Sequence, residues 1–518
     1  MSEPEKKLDG PDFAQGVPLA DIPEDGMILG HVAGEAAVLA RRSHELFAIG
    51  AECTHYHGPL AEGVLVEDTL RCPWHHACFS LRTGEALRAP ALNPVPCWRV
   101  ELRNGTVYVR EKVELTAGGA RPTRQSALGA IVIVGGGAAG EAAAKMLRHE
   151  GYSGPITMLS DDGAPPCDRP NLSKDYLAGN APEEWIPLRP PEFYGQHGIE
   201  LRLGTRAVAI HANPREVELA DGSRHGYGAL LLATGAEPVR LSVPGSDLPH
   251  IHYLRTLADS RALIAEATAS RRAVVIGASF IGLEVAASLR ARGLEVHVVA
   301  PEARPMENVL GPEVGDLVRR VHEEHGVVFR LGTTPAAFDR NGVTLQSGER
   351  LEADFVVVGI GVRPRTALAE QSGITVDRGV MVSEYLETSI PGIYAAGDIA
   401  RWPYRLTGES IRIEHWVVAE RQGQTAARNM LGARERFNAV PFFWTQQHDL
   451  LLNYVGHARQ WDRIDIDGQL DAKDCTVTYW HGGRKLAVLT IGRDRDSLAA
   501  EIELEKAPTA AESSRRSP

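Results

Sequence analysis

The sequence predicts a multidomain protein with an all-β domain at the front, two α/β units in the centre and a small α+β domain at the end. The chain has 518 residues, more than one hydrophobic core holds. Short apolar runs broken by turn glycines fill the region up to Val113, which is typical of a small antiparallel fold. From Ala130 to about Ala433, strand, glycine turn and helix alternate, as in doubly wound α/β units. Strand-like segments then return from Val440, followed by one acidic stretch compatible with a helix.

Composition and charge narrow the classes of function. Hydrophobic residues make up 43% and charged residues 24%, as in ordinary globular chains. A net charge of −12 argues against nucleic acid or an anionic membrane as a partner. We expect no membrane span and no secretory signal, because no apolar run is long enough and Met1–Gly10 is polar. With only six cysteines, we expect no disulfide scaffold and a cytoplasmic location.

Two mixed cysteine and histidine pairs stand out in the first region. Cys53-Thr-His55 and Cys72-Pro-Trp-His75 each supply one thiolate and one imidazole. A Rieske-type [2Fe–2S] cluster needs this set, because two cysteines hold one iron and two histidines hold the other. Zinc fingers usually pair cysteine with cysteine and histidine with histidine. We therefore predict that Cys53, His55, Cys72 and His75 are cluster ligands, with structural zinc or a metal-free site as alternatives.

These motifs resemble the Rieske family, with informative departures. Respiratory-chain members bridge their two ligand loops with an extra cysteine in each, where this chain has Gly58 and Trp74. They also place a serine and a tyrosine that hydrogen-bond to the cluster sulfurs, where this chain has Ala77 and Phe79. The resemblance implies a potential near the low end of the range of ~−150 to +300 mV. His76 stands where the family usually has glycine, and we expect it to be exposed.

A dinucleotide motif opens the α/β region. The strand Ala130–Val134 leads into a G-x-G-x-x-G turn formed by Gly135, Gly137 and Gly140, and a helix follows. Glycines in this turn let a pyrophosphate approach the positive helix N-terminus. Asp161 follows the next strand, where an acid binds a ribose hydroxyl. The pattern predicts a first dinucleotide site.

A second motif follows the strand that begins at Ala273. Its three key positions are Gly277, Ser279 and Gly282, so serine replaces the middle glycine. Glu302 comes two residues later than the acid expected of an NAD enzyme, and Arg304 could equally meet the 2′-phosphate of NADP. The choice between NADH and NADPH therefore stays open.

Further segments resemble the flavoprotein reductases that bind two dinucleotides. An apolar strand ends in Gly397-Asp398, like their second flavin motif, and Leu232–Gly235 and Gly359–Pro364 resemble their crossings between domains. The resemblance implies that the first Rossmann-like unit binds FAD and that the second, inserted in sequence, binds NADH or NADPH. Disulfide reductases of this fold carry a cysteine pair beside the flavin, whereas here only Cys167 stands in that region. We expect no disulfide chemistry.

Asp168–Lys174 and Ile413–Trp416 resemble the branch of apoptosis-inducing factor and the ferredoxin reductases. A Rieske domain at the front resembles one subgroup of this branch, and the likeness covers nearly the whole chain. It implies two catalytic residues: Lys174, near flavin N5, and Glu284, which pairs with it. A purely structural salt bridge is the alternative.

The same resemblance implies the residues that contact each cofactor. Those expected at FAD are Gly135, Gly137, Ala138, Ala139, Gly140, Asp161, Arg169, Lys174, Val208, Ala233, Thr234, Gly235, Gly397, Asp398, Glu414, His415 and Trp416. Those expected at the nicotinamide nucleotide are Gly277, Ser279, Phe280, Ile281, Gly282, Glu302 and Gly361. Trp444 is expected either to line the flavin or to be an ordinary core tryptophan.

The predicted domains follow these motifs. They are a Rieske domain at 11–113, a linker at 114–129, an FAD-binding domain at 130–246 and 372–435, an NAD(P)-binding domain at 247–371, a C-terminal reductase domain at 438–507 and a disordered tail at 508–518. The predicted function is an NAD(P)H-dependent FAD oxidoreductase of the ferredoxin reductase type. It would pass electrons through its own Rieske cluster to an unidentified protein or small-molecule acceptor, as a monomer or homodimer. The alternative is a redox-sensing signalling protein with little turnover.

Overall fold

The computed structural model describes residues 8–113 and 128–509. Most of the predicted linker at 114–129 and of the predicted tail at 508–518 lies outside these residues. The described residues form two compact units. The first contains everything up to Val113 together with Arg493–Glu503, and the second contains the remainder.

The first unit is built from two antiparallel sheets, which confirms the all-β prediction. Its six-stranded sheet has the spatial order Val17–Pro18, Thr106–Lys112, Cys97–Arg103, Glu45–Gly50, Glu35–Arg42 and Gly26–Val32. Its four-stranded sheet has the order Val64–Val66, Thr69–Arg71, Cys78–Ser80 and Ala86–Arg88. Two short 3₁₀ turns complete it, Leu19–Asp21 and Leu60–Glu62.

The helix Asp494–Lys506 contributes most of its length to this first unit. Leu498 and Ser497 are completely buried. The sequence places this helix in the predicted C-terminal domain at 438–507, and those bounds stay a prediction. The contact partners of such a helix are hundreds of residues away, so no local pattern reveals them.

The half of the second unit that contains the first dinucleotide motif, called the FAD-type half, is built on a five-stranded parallel sheet. Its spatial order is Ile199–Arg202, Ile156–Leu159, Ile131–Val134, Ala229–Leu232 and Ile393–Ala395. The strands Ile131–Val134 and Ala229–Leu232 are apolar and buried throughout, as expected of a parallel sheet that is covered on both faces. Helices Ala138–His149 and Trp416–Met430 cross closely, and a Cβ added at Gly423 would lie 2.2 Å from the carbonyl oxygen of Ala139.

The inserted half repeats this plan. Its parallel strands have the order Ile251–Tyr253, Phe355–Val358, Arg272–Ile276, Glu295–Ala300 and Val327–Leu331. Its longer helices are Leu257–Ala269, Phe280–Ala291 and Pro312–Glu324. The strands Ala236–Pro238 and Val362–Pro364 pair antiparallel next to the two predicted crossings, where the chain enters and leaves this half.

Smaller elements decorate both halves. Each half carries a three-stranded antiparallel sheet, formed by Ala207–His211, Glu216–Leu219 and Arg224–Gly226 in one and by Pro335–Asp339, Gly342–Leu345 and Arg350–Glu352 in the other. A third small sheet contains Val380–Met381, Ala400–Pro403 and Ser410–Ile411. The short helical segments are Arg169–Leu172, Asp175–Ala178, Glu183–Trp185, Phe193–Gln196, Glu307–Leu310 and Ala367–Gln371.

The last part of the second unit is a five-stranded antiparallel sheet. Its spatial order is Phe442–Gln447, Leu450–Gly456, Arg484–Ile491, Asp474–His481 and Arg463–Gln469. With the helix that follows, this sheet confirms the α+β class predicted for the region. Among residues 8–113 and 128–509, no helix combines the length and the apolar character that a membrane crossing requires.

Candidate functional site: a cluster-binding loop pair and a dinucleotide cavity

Two loops of the first unit share one backbone pattern. In the first, Cys53 N donates to the carbonyl of Gly58, and His57 N donates back to the carbonyl of Cys53. In the second, Cys72 N donates to Ala77, and His76 N donates back to Cys72. The fourth residue after each cysteine has a left-handed φ, +58° at His57 and +59° at His76. The two loops share this pattern because each one leaves a strand and folds back over the cysteine with which it begins.

These loops bring the four predicted ligands together as two pairs. Cys53 and Cys72 are each 1% exposed, and the hydrogen bond between their thiols raises the pKa of Cys53. Nδ1 of His55 lies 3.1 Å from Nδ1 of His75. Burial lowers the pKa of His55 to about 3, so its ring is neutral at physiological pH, the form that binds metals.

The pairing fits a two-iron cluster better than a single zinc ion. In the described part of the chain, no three His, Cys, Asp or Glu side chains converge as a site for one ion. A tetrahedral zinc site requires four ligands around one point, whereas a Rieske cluster requires two sulfurs on one side and two imidazole nitrogens on the other. The donor set and its arrangement therefore fit [2Fe–2S].

Gly58 and Trp74 lie against each other, where the respiratory family places its bridging cysteines. A Cβ added at Gly58 would lie 2.8 Å from Cys72 Sγ and 3.1 Å from the Trp74 ring. All six cysteines lie in the described residues, and none of them forms a disulfide bond there. Trp74 thus fills the space above the loop, and Gly58 is required for the close approach of the two loops.

The second unit contains a cavity at the carboxyl ends of the FAD-type strands. Fifteen of the predicted cofactor and catalytic residues line it: Gly137, Ala138, Ala139, Arg169, Lys174, Ala233, Gly235, Phe280, Ile281, Glu284, Gly397, Asp398, Glu414, His415 and Trp416. Residues from both dinucleotide motifs therefore meet in one cavity. This is the arrangement that a hydride donor and its acceptor require.

Other predicted residues do not line this cavity. They are Gly135, Gly140, Asp161, Val208, Thr234, Gly277, Ser279, Gly282, Glu302 and Gly361. Asp161 follows its strand as expected and lies 3.8 Å from Arg365. Val208 is 38% exposed in the strand Ala207–His211, and the Thr234 hydroxyl donates to the carbonyl of Arg365. Their roles at a cofactor stay predictions.

The glycine turns fit a dinucleotide. A Cβ at Gly135 would lie 2.0 Å from the carbonyl oxygen of Ala233, and one at Gly140 would lie 2.0 Å from that of Gly135. These two glycines allow the helix to approach the sheet, and Gly137 begins the helix without a side-chain cap. Arg169 lies over Gly137, with Nη1 at 3.5 Å from a Cβ placed there. The start of the helix and a guanidinium thus lie close together, an arrangement that fits a pyrophosphate.

Lys174 and Glu284 form the pair that the resemblance implies. Lys174 Nζ lies 2.9 Å from Glu284 Oε1. Glu284 is 5% exposed and also accepts from the hydroxyls of Ser173 and Thr445, at 2.5 and 2.6 Å. Lys174 donates a further hydrogen bond to the carbonyl of Pro170 at 3.1 Å. Pro170 and Glu284 therefore hold the ammonium group at the cavity, and Ser173 and Thr445 in turn hold Glu284.

Several cavity residues escape sequence reasoning. Arg255 lies 2.8 Å from Asp398, which comes 143 positions later in the sequence, and no motif predicts this contact. Phe443 also lines the cavity, beside Trp444, for which the sequence left two alternatives. Trp444 thus lies at the cavity rather than in the core.

Cys167 is buried, and burial raises its pKa to about 11, so its thiol stays protonated.

In the second motif, Ser279 has a structural reason. Its hydroxyl donates to the carbonyl of Gly359 at 2.7 Å and accepts from Gly282 N at the start of helix Phe280–Ala291. Serine therefore caps the helix here. Arg304 lies 2.8 Å from Asp316 and 3.7 Å from Glu307, so its guanidinium already faces two carboxylates.

Three family models match the chain in the order that the fold shows. Residues 16–99 match the Rieske [2Fe-2S] domain. Residues 129–423 match pyridine nucleotide-disulphide oxidoreductase, and residues 442–514 match the reductase C-terminal domain.

Among curated proteins, the chain is similar to apoptosis-inducing factor 3 of Homo sapiens, with 34% identity over 475 residues. The match covers 88% of this chain and 78% of that protein. It is also similar to rhodocoxin reductase of Rhodococcus erythropolis, with 40% identity over 375 residues, 71% of this chain and 88% of that protein.

Among solved structures, the chain resembles the crystal structure of the covalent putidaredoxin reductase–putidaredoxin complex. The TM-score is 0.71 at 36% identity, and the match covers 73% of this chain and 94% of that one. The chain belongs to the pyridine nucleotide-disulphide oxidoreductase family, as a ferredoxin-reductase-type flavoprotein that uses FAD and NAD(P)H and carries its own Rieske [2Fe–2S] domain.

Proposed function

We propose that this protein oxidises NADH at the cavity of its second unit and delivers single electrons to an outside acceptor through its Rieske domain. Bound FAD accepts the two electrons of a hydride and releases them singly, and a [2Fe–2S] cluster accepts one at a time. The observation that carries the proposal is that one chain holds both a cavity where two dinucleotide motifs meet and a loop pair with two thiols and two imidazoles.

Lys174 is the residue we assign to the chemistry at the flavin. Its ammonium group is fixed by Glu284 at 2.9 Å and lines the cavity together with Phe280. A fixed cation stabilises negative charge that develops on a bound ring system, and it needs no reorganisation to do so. Glu284 positions this cation, while Arg169 and the Gly137 turn bind the phosphates.

We propose NADH rather than NADPH as the donor. Arg304 is the cation that could meet a 2′-phosphate, and it faces Asp316 and Glu307 instead. Such surface ion pairs are weak, about 0–1 kcal/mol each. They nevertheless place two carboxylates where an additional phosphate would be repelled, which favours the donor without one.

The Rieske domain takes the place of a separate electron carrier. The names of rhodocoxin reductase and of the putidaredoxin reductase–putidaredoxin complex point to carriers that are separate from those reductases. In this chain a carrier domain is covalently attached, which gives an effective concentration of roughly mM. The final acceptor would be a one-electron acceptor outside the chain, and we place the protein in the cytoplasm.

The variant His75→Ala tests the order of the relay. We expect FAD reduction by NADH at the parental rate, because His75 belongs to the first unit, and a loss of at least tenfold in the reduction of cytochrome c. The control is His57→Ala, which removes an exposed histidine from the first ligand loop. Unchanged cytochrome c reduction in His75→Ala contradicts the relay. A parent protein that forms a long-lived reduced complex and reduces no acceptor supports the signalling alternative instead.

A further inference from the structure

A buried carboxylate from the end of the chain lies beside the second cluster loop. Glu501, on helix Asp494–Lys506, is completely buried. Its Oε2 atom lies 3.2 Å from Arg71 Nη1 and 3.2 Å from His76 Nδ1, and Arg88 approaches Oε1 at 3.7 Å. Because a buried carboxylate needs opposite charge or hydrogen bonds to be tolerated, these contacts fix its position.

The same helix contacts both ring nitrogens of His76. Nε2 of His76 lies 3.1 Å from the Ser497 hydroxyl, while Nδ1 faces Glu501. Ser497 and Glu501 are four positions apart, so they project from the same face of the helix. The ring of His76 is 0% exposed. The expectation of an exposed loop histidine is therefore wrong, because the partner helix is too distant in sequence to be anticipated.

The backbone at His76 allows a sharp test of its side chain, because glycine would fit this conformation better. Its φ of +59° lies in the left-handed region, which glycine adopts freely and other residues adopt at a cost. A histidine in this conformation persists when its surroundings hold it there. The contacts with Ser497 and Glu501 are what the side chain gains.

We propose that Glu501 is a positioning residue for the Rieske cluster. Arg71 directly precedes the ligand Cys72, and His76 directly follows the ligand His75. By holding both neighbours, Glu501 fixes the two ends of the ligand loop and hence the directions in which Cys72 and His75 face the cluster. This inference rests on the proposed cluster ligands and deepens that function.

The test uses the full-length protein with its cluster loaded, in the variants Glu501→Ala and His76→Gly. Two measurements are made: the rate of iron release to a ferrous chelator, and the electron paramagnetic resonance spectrum of the dithionite-reduced cluster. We expect both variants to release iron at least threefold faster and to show shifted g-values. Glu503→Gln, an exposed acid on the same helix, is the matched control and should behave like the parent.

His76→Gly is the sharper variant, because glycine relieves the left-handed backbone. If the side chain of His76 had no role, this variant would hold iron as well as the parent or better. That result, or parental g-values in both variants, overturns the proposal. Glu501→Gln keeps an acceptor oxygen and should be intermediate, and it replaces Glu501→Ala if the latter does not fold. A parent protein without any Rieske spectrum contradicts the proposed function itself, which is a separate failure.

Discussion

At the residue scale, one buried carboxylate, that of Glu284, fixes the side of the cavity that carries Lys174. Glu284 accepts from Lys174, Ser173 and Thr445, so three donors share its two oxygens. A buried carboxylate with this many partners needs little reorganisation. Removing one of the partners leaves the remaining buried groups without full compensation of their charge and hydrogen bonds. The ammonium of Lys174 is therefore preorganised at the cavity.

Lys174→Ala should slow the reduction of FAD by NADH about tenfold, which corresponds to about 1.4 kcal/mol of lost transition-state stabilisation. FAD content and the cluster spectrum should remain parental, because neither depends on this side chain. Stopped-flow absorbance gives the rate. The control is Lys473→Ala, which removes a lysine paired with Asp449 at the surface. A parental rate in Lys174→Ala leaves the pair with a structural role only.

The second prediction at this scale concerns Ala77 and Phe79, the positions where the resemblance implies hydrogen bonds to the cluster sulfurs in respiratory-chain Rieske proteins. Ala77 and Phe79 are completely buried and offer no hydroxyl. Ala77→Ser and Phe79→Tyr should each raise the midpoint potential by about 40 mV, because a hydrogen bond of about 1 kcal/mol to the reduced cluster has that value for one electron. Redox titration followed by circular dichroism measures the shift. A lower or unchanged potential in both variants contradicts the role assigned to these positions.

Elements were predictable wherever a local pattern encodes them. The strand Ile131–Val134 and the turn after it follow from apolar residues and glycines that are neighbours in sequence. The Cys53 and Cys72 loops follow from ligand spacing in the same way. What the sequence could not reveal are contacts made across long separations, such as Arg255 with Asp398 and His76 with Ser497. Those pairs exist only because folding brings distant elements together.

Helix Pro312–Glu324 is expected to make the free energy of unfolding depend on pH. His322 on this helix is 0% exposed, bonds to Gln447, and lies against His448, which itself stacks on His325. Burial lowers the pKa of His322 to about 4 from an ordinary value of 6.5. As the pH falls, the unfolded chain therefore binds a proton at His322 before the folded chain does. The contribution of His322 to the free energy of unfolding is thus fully present above pH 6.5 and is lost between pH 6.5 and pH 4.

His322→Gln should remove part of this acid sensitivity. By pH 5 the parent should have lost about 2 kcal/mol of unfolding free energy through His322, and the variant should lose correspondingly less. Denaturant unfolding at about pH 7 and about pH 5 measures the difference. His481→Gln, at an exposed position, is the control. Equal losses in the parent and His322→Gln would show that other groups cause the acid sensitivity.

At the scale of the whole molecule, one chain combines a two-electron oxidation site with a one-electron carrier. The front unit contributes the ligand loops and the second unit contributes the cavity. A net charge of −12 gives no electrostatic reason for nucleic acid binding. In the proposed relay, the covalent attachment removes the need for a diffusing carrier, so the proposed function depends on both units being loaded in the same chain.

Anaerobic titration of the fully loaded protein with NADH, followed by absorbance and electron paramagnetic resonance together, tests this combination most directly. We expect bleaching of the flavin together with a Rieske-type signal, complete at about 1.5 NADH per chain because the two cofactors accept three electrons. NADPH should act more slowly than NADH. Bleaching that ends at one equivalent without any iron signal, or zinc in place of iron in the front unit, would contradict an internal electron relay.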